Sequence, residues 1–598
     1  MSGSAGSAGS AGSTGPGSSP NSLARGPRTS SGLRKALTPW LLWLAPLAFL
    51  GLFYFYPLGS ILTISLARGE RLAQPFIEAF RSESVRSVLW FTIWQATVSM
   101  LLTLLVGLPG AYLLARHDFR GKSLLRALTG IPFVMPTLVV AAAFNALLGP
   151  RGWANVGLMA LFDLGTPPIQ FANTITAILL AHVFYNTTIV LRMVGDFWSH
   201  LNPRLTFAAR SLGANRWQTL TKVTLPLLMP AIAAAALLVF IFDFTSFGVI
   251  LILGGPQFAT LEVEIYFQTI SLFNLPMAAV LSVLQLASTL GLTFAYSRLS
   301  ARVTQPMALR SRQITQRPLV TRRSKAFAAF MIALLLILLT TPLLALAARS
   351  FTRIGPSPGE RGPETPQLTL NFDRELTINR RGSVFFVTPT RAIASSLTYA
   401  GITVIIALAL GLPASWALAR DSGSWLNRVL DATLMLPLGT SAVTLGLGFI
   451  VALNRPPLNL RTSPLLIPMA HSLVALPFVV RSLTPALRSI QPRLRQAARV
   501  LGASPGKVLR YIDLPLVGRA LLVSAIFAFT ISMGEFGATA LIARPEFATI
   551  PIAIFRFISS PGALNFGQAL ALSTILMAVT AAGMLAIERF RIADVGEF

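Results

Sequence analysis

Two carboxylates and two imidazoles stand out in a chain that otherwise keeps charge away from its apolar runs. Asp243 and Glu535 sit in such runs, four and one residues before the pairs Phe247-Gly248 and Phe536-Gly537. A carboxylate at membrane depth is expensive and usually faces a bundle interior or water. The two therefore read either as the lining of a translocation path for a cationic cargo or as solvated groups near an outer rim. His182 and His471 lie at matched places in two apolar runs. Facing imidazoles would begin a metal site, but that needs further ligands, and a hydrogen bond between packed helices explains each His more simply. The same reading covers Gln95, Asn145 and Gln285, and no metal is expected. The triplet Gly121-Lys122-Ser123 looks like the end of a phosphate loop. That motif needs a Gly five residues before Gly121 and a preceding strand, and residue 116 is Arg. No Ser/His/Asp, paired-carboxylate or zinc-protease spacing points to catalysis, and zero cysteines remove disulfides, thiolate ligands and a Cys nucleophile.

The elements that must position these groups are set by composition. Of 598 residues 54% are hydrophobic and 12% charged, with mean hydropathy +0.67, and the apolar runs approach the roughly 20 residues that cross a bilayer. Twelve spans are expected, near 39–65, 88–115, 127–149, 173–191, 228–253 and 276–297, then 326–347, 393–419, 429–452, 464–480, 520–543 and 566–587. Lipid offers the backbone no partners, so the spans must be helices, and the alternating ten-residue segments of a transmembrane barrel are absent. The net charge of +28 falls in loops and at membrane edges, which suits membrane lipid and argues against nucleic acid as a partner. Basic residues are denser on the side that holds the N-terminus, which places that terminus inside. Residues 1–35, rich in Gly, Ser and Ala, read as a disordered cytoplasmic tail and not as a signal peptide.

The halves repeat. At a constant offset of 289 residues, Ala181, His182 and Arg192 match Ala470, His471 and Arg481, and Phe247-Gly248 matches Phe536-Gly537. Upstream the offset becomes 304, pairing Gly107-Leu108-Pro109 with Gly411-Leu412-Pro413, so the first half has a longer third outside loop. Six spans per half make a parallel repeat with a pseudo-two-fold axis along the membrane normal and a central path between the halves. The expected division is a tail 1–35, a first six-span domain 36–300, a basic cytoplasmic linker 301–325, a second six-span domain 326–590 with a long external loop 348–392, and a tail 591–598.

One polar loop is kept twice, as SLGANRWQTLTKVTLP from 211 and VLGASPGKVLRYIDLP from 500. Asn202 can cap a helix whose first turn suits Pro203, and Gly213 can close it in the left-handed conformation before Asn215 restarts the chain. The second copy uses Pro492, Gly502 and Ser504-Pro505. Leu225-Pro226 and Leu514-Pro515 follow twelve residues after each Gly and are expected to open the next spans. Arg216, Trp217 and Lys222, or Lys507, Arg510 and Tyr511, suit docking to a protein or to a headgroup layer.

AARSLGANRWQTLTKVTLP and AARVLGASPGKVLRYIDLP resemble the cytoplasmic motif of bacterial ABC-importer permeases, with Ala208-Ala209 and Ala497-Ala498 as its paired alanines. The motif's Glu is replaced by Phe207 and Gln496. The resemblance covers about residues 40–590. It implies an all-α polytopic membrane protein with the type I ABC importer permease fold, about 12 transmembrane helices in two six-helix repeats, in a bacterial inner membrane. It also implies that Ala208, Ala209, Gly213, Arg216, Lys222, Leu225 and Pro226, and Ala497, Ala498, Gly502, Lys507, Arg510, Leu514 and Pro515, form coupling loops for two copies of an ATPase subunit. ATP would be used by that subunit, with no cofactor bound by this chain, and an extracytoplasmic substrate-binding protein would deliver cargo. AHVFYNTTIVLR, FTSFGVILILGGPQFATLEVEIYFQ and ISMGEFGATALIARPEFATIPIAIF look most like the fused permeases of thiamine and ferric-iron uptake, the thiamine type somewhat more. An ion-coupled carrier would instead need intramembrane relays and no ATPase, and a membrane enzyme would need a catalytic constellation.

Overall fold

Runs such as TLVVAAAFNALL (137–148) and LLVFIFDF (237–244) carry almost no side-chain hydrogen-bonding groups, so their backbone pairs within helices. The computed structural model describes residues 42–66, 74–303, 316–353, 367–378, 388–420, 425–454 and 458–590. The expected tails 1–35 and 591–598, and parts of the linker 301–325 and of the loop 348–392, lie outside the described residues. The first half contains α1 (Leu42–Leu66), α2 (Glu83–Arg116), α3 (Lys122–Val134), α4 (Thr137–Leu148), α5 (Ile175–His200), α6 (Pro203–Ser211), α7 (Leu225–Phe244), α8 (Gly248–Leu253), α9 (Leu261–Ile270) and α10 (Leu275–Val303). The second contains α11 (Arg322–Ser350), α12 (Pro389–Arg420), α13 (Trp425–Met435), α14 (Ala442–Ala452), α15 (Leu466–Arg488), α16 (Pro492–Val500), α17 (Leu514–Gly534), α18 (Gly537–Ile542), α19 (Ile550–Ile558) and α20 (Ala563–Phe590). Two short strand pairs, His117–Asp118 with Arg317–Pro318 and Thr352–Arg353 with Gln367–Leu368, are the extended exceptions among the described residues.

Ten described helices are long and apolar enough to cross a membrane, or twelve if each of two bent pairs is one span. The third spans expected near 127–149 and 429–452 are each such a bent pair. Lys122–Val134 meets Thr137–Phe162 at 110°, and Trp425–Gly439 meets Ala442–Ala452 at 96°. Pro136 biases Met135 out of the helical region, and Met135 has ψ 134°. In the second half Ser441 starts a new helix by accepting from Thr444 N–H. The fifth spans also stop early. α7 ends at Phe244 and α17 at Gly534, each followed by a break at the Phe-Gly pair and a six-residue helix.

The repeated Gly-Leu-Pro has a packing cause. Within each half the second and fourth spans, α2 with α5 and α12 with α15, make the closest association. A Cβ on Gly107 would lie 2.7 Å from Val190, and one on Gly411 would lie 2.5 Å from Val479. The two valines are themselves 289 residues apart, so both halves use one Gly-on-Val approach. Gly107→Ala and Gly411→Ala should each destabilise the fold by about 1–3 kcal/mol through overpacking. A thermal melt in detergent checks this, and unchanged midpoints in both variants would show that the helices separate freely.

The first helix of each half crosses over. α1 packs on α14 of the second half, and α11 packs on α4 of the first. One apolar cluster consequently runs through both halves, from Leu138 and Phe184 to Phe449 and Leu572.

Candidate functional site

Each repeated loop is a helix closed by the same pair of hydrogen bonds. In the first copy Gly213 has φ +87°, Ala214 N–H donates to Ala209 C=O at 3.0 Å and Gly213 N–H to Arg210 C=O at 3.0 Å. In the second Gly502 has φ +79°, Ala503 N–H donates to Ala498 C=O at 2.9 Å and Gly502 N–H to Arg499 C=O at 3.0 Å. These are the paired bonds that end a helix in a left-handed residue. The turn holds Leu212 and Leu501, one residue before each Gly, at 88% and 86% exposure. Trp217, Tyr511, Val500 and Phe207 are exposed beside them, among exposed Arg204, Arg210, Arg216, Lys222, Arg499, Lys507 and Arg510.

After the turn Asn215 caps Arg216–Thr219 reciprocally with Gln218, with bonds of 2.8 and 3.0 Å. Leu225-Pro226 and Leu514-Pro515 do not open a separate helix. Wide π turns at Leu220–Thr224 and Leu509–Asp513 carry the chain into α7 and α17, giving continuous helical stretches Arg216–Phe244 and Pro505–Gly534. The proline's missing donor is absorbed where the hydrogen-bond register widens. A residue that sequence reasoning passed over pins the second loop: Arg495 Nε donates to the buried Asp513 Oδ1 at 2.8 Å. The corresponding positions in the first copy are Thr206 and Thr224, so the ionic pair is special to one loop.

Inside each half, the His and carboxylate residues form a closed cluster. His182 Nδ1 lies 3.0 Å from Ser99 Oγ and His182 Nε2 2.8 Å from Ser246 Oγ. Asn186 Nδ2 donates to Asp243 Oδ1 at 2.6 Å, and Gln95 Nε2 donates to Asp243 C=O at 2.8 Å. His471 Nδ1 lies 2.8 Å from Ser532 Oγ and His471 Nε2 2.8 Å from Thr539 Oγ1 and 3.2 Å from Glu535 Oε2. Glu535 also accepts from the N–H groups of Ala538 and Thr539 at 2.8 and 3.1 Å, capping α18.

At the offset of 289, Asp243 matches Ser532 and Ser246 matches Glu535. The two halves hold one His with one acid and one Ser, with acid and Ser exchanged between the two flanking positions. All four residues are buried, their partners belong to their own half, and Asp243 and Glu535 are not solvated rim groups in this structure. Gln95 and Gln285 do bond between helices, Gln285 Nε2 to Glu262 Oε1 at 3.0 Å. Asn145 instead lines a cavity.

The clusters immediately precede the plane between the halves. Phe247 and Phe536, equivalent residues, stack with ring centroids 5.4 Å apart and planes 20° apart. Tyr266 flanks Phe247 at 5.4 Å and Phe555, its equivalent, flanks Phe536 at 5.4 Å. Four rings thus form a symmetric row across the pseudo-two-fold axis. Four further side-chain bonds cross between halves among the described residues: Tyr54 Oη to Thr440 Oγ1 at 2.6 Å, Ser441 Oγ as donor to the buried Glu262, Arg192 as donor to Glu588, and Thr580 Oγ1 to Met135 Sδ at 3.7 Å.

A family model for the binding-protein-dependent transport system inner membrane component matches residues 107–355 and again 411–591. The chain belongs to this family. It is a multi-pass inner-membrane permease subunit of an ABC importer, a duplicated transport component and not a catalytic one. Both matches begin at the Gly of the repeated Gly-Leu-Pro. The permease is 29% identical to a probable ABC transporter permease protein of Sinorhizobium fredii, y4fN, over 90% of this chain and 94% of that one. It is 27% identical to the thiamine transport system permease protein ThiP of Escherichia coli, over 79% of this chain and 84% of that one. Among solved structures, a bacterial ABC transporter involved in the import of the acidic polysaccharide alginate is 19% identical with TM-score 0.37, covering 46% of the permease and 100% of that chain.

Proposed function

We propose that this permease moves thiamine inward by alternating access, driven by two ATPase subunits docked on its two repeated loops. The observation that carries the coupling reading is the pair of glycine-closed turns that present Leu212 and Leu501 to solvent at equivalent positions. A leucine so exposed on a polar, basic loop gains about 1.5–3 kcal/mol when a partner covers it, and a two-fold pair of such loops fits a pair of identical motors. Arg216 and Lys222, with Lys507 and Arg510, supply the polar rim of each contact, and Phe207 and Gln496 take the place of the motif Glu with apolar and neutral contacts. The loops face the cytoplasm, as does the N-terminus, and a substrate-binding protein docks on the opposite face.

The central path is closed in this conformation by the row Tyr266, Phe247, Phe536 and Phe555. The clusters of His182 with Asp243 and His471 with Glu535 hold the chain breaks that present Phe247 and Phe536 to one another. Thiamine as cargo is supported by the relatives at 27% identity that are named for it; ferric iron is the competing cargo on the sequence resemblance. The test is reconstitution in proteoliposomes with the partner ATPase and the binding protein encoded beside the chain. ATP-dependent uptake of labelled thiamine, absent for Fe(III), is expected; uptake of Fe(III) alone would reassign the cargo, and uptake without any ATPase would remove the ABC reading.

A further inference from the structure

On the face opposite the repeated loops, where α4 and α11 end and α20 begins, a cavity of about 430 Å³ is lined by Arg151, Arg349 and Arg353 together with Asn145, Phe372 and Gly567. No carboxylate is among its described lining residues. Arg349 is 5% exposed, and while its Nη1 donates to Thr352 C=O, its buried Nε has no hydrogen-bond partner. Arg151 and Arg353 are exposed. One guanidinium thus lies buried and two lie at the rim.

The walls are built to hold this shape. Asn155 clamps the loop after Arg151, donating to Gly149 C=O and Ile169 C=O at 2.9 Å each and accepting from Ile169 N–H at 2.8 Å. Gln568 Nε2 donates to Glu375 C=O at 3.1 Å and ties the short helix Asn371–Glu375 to α20. A Cβ on Gly567 would fall 2.2 Å from the Phe372 ring, so only glycine lets that ring form the wall.

Arg349 and Arg151 line the same cavity as like charges, and a buried guanidinium in that setting is stabilised by an anion that pairs with it. The space is far larger than a halide or a water needs. A phosphate, with several oxygens and up to two charges, matches more than one guanidinium fork better than a carboxylate with two oxygens. We propose that this cavity binds a phosphate group, carried either by a small phosphorylated solute or by a phospholipid headgroup.

The experiment uses the full-length permease, purified and delipidated in detergent, with inorganic pyrophosphate and phosphate as probes in calorimetry and thermal melts at constant ionic strength. Both probes should bind and raise the melting midpoint. Arg349→Gln should weaken binding by about tenfold or more, the scale of one lost charged hydrogen bond. Should Arg349→Gln fail to fold, the exposed pair Arg151→Gln and Arg353→Gln carries the test with the same expected loss. Native mass spectrometry and competition with phosphatidylglycerol separate the two sources. A lipid retained by the wild-type chain, lost in the rim variant and displacing pyrophosphate assigns a headgroup; pyrophosphate binding indifferent to lipid assigns a solute. Equal behaviour of wild type and variants, or no effect of either probe and no retained lipid, overturns the proposal. So does a variant defect confined to affinity for the binding protein, which would make the occupant an acidic side chain of that partner.

Discussion

Replacing Gly213 and Gly502 together by Val should lower ATP-driven uptake by roughly tenfold or more while leaving the permease inserted and folded. Both glycines hold φ near +80°, at +87° and +79°, where an L residue pays roughly 1–2 kcal/mol and a β-branched one more. A Cβ at either position meets nothing within 4 Å. The strain is therefore confined to the backbone of the turn, and it is relieved by opening the bonds from Ala214 to Ala209 and from Ala503 to Ala498. Opening them swings Leu212 and Leu501 away from a partner's groove. At about 1.4 kcal/mol per factor of ten, two such turns should lower uptake by roughly tenfold or more. Asn tolerates the left-handed region, so Gly213→Asn with Gly502→Asn should retain most uptake. Membrane abundance, co-purification of the ATPase and transport are measured together. Normal uptake by the double Val variant would sink the coupling role of the loops.

The glycine turns were legible because one residue type is nearly obligatory there, and the same holds for Gly107 and Gly411, where Val190 and Val479 allow no side chain. What the sequence hid lies where hydropathy does not distinguish alternatives. The bends after Val134 and before Ala442 interrupt runs that are apolar on both sides, so composition reads straight through them. Leu225-Pro226 looked like the start of a span, yet the π turn before it makes one continuous helix.

Position within a helical turn was equally invisible. Glu262 and Glu264 stand two residues apart in LEVEIYF; Glu262 is buried and accepts from Ser441 of the other half, while Glu264 pairs with Gln268 on its own helix. The exchange of acid and Ser between halves, Asp243 with Ser246 against Ser532 with Glu535, also breaks the residue-by-residue match that made the repeat visible. A search for equivalent carboxylates finds neither partner. Only the shared His, approached from both sides in three dimensions, shows that the two clusters are equivalent.

That equivalence gives the second large effect. Phe247→Ala with Phe536→Ala should open the permease to its cargo without ATP or binding protein. The two rings are 7% and 3% exposed and face each other at the axis, so nothing else in the row spans the gap they leave: Tyr266 and Phe555 each pack on the outer side of a removed ring. An aromatic contact contributes about 0.5–1.5 kcal/mol beyond the area it buries, and truncating a buried Phe removes roughly 3–5 kcal/mol of packing. The loss falls mainly on the closed state, because in an open state the rings would already be parted. Proteoliposomes holding the double variant should release trapped thiamine at least about tenfold faster than those holding the wild type. Phe247→Leu with Phe536→Leu, which keeps an apolar plug, should remain nearly tight. Vesicles that stay sealed with both rings removed would mean that closure lies elsewhere, and the clusters at His182 and His471 would then hold breaks that serve only packing.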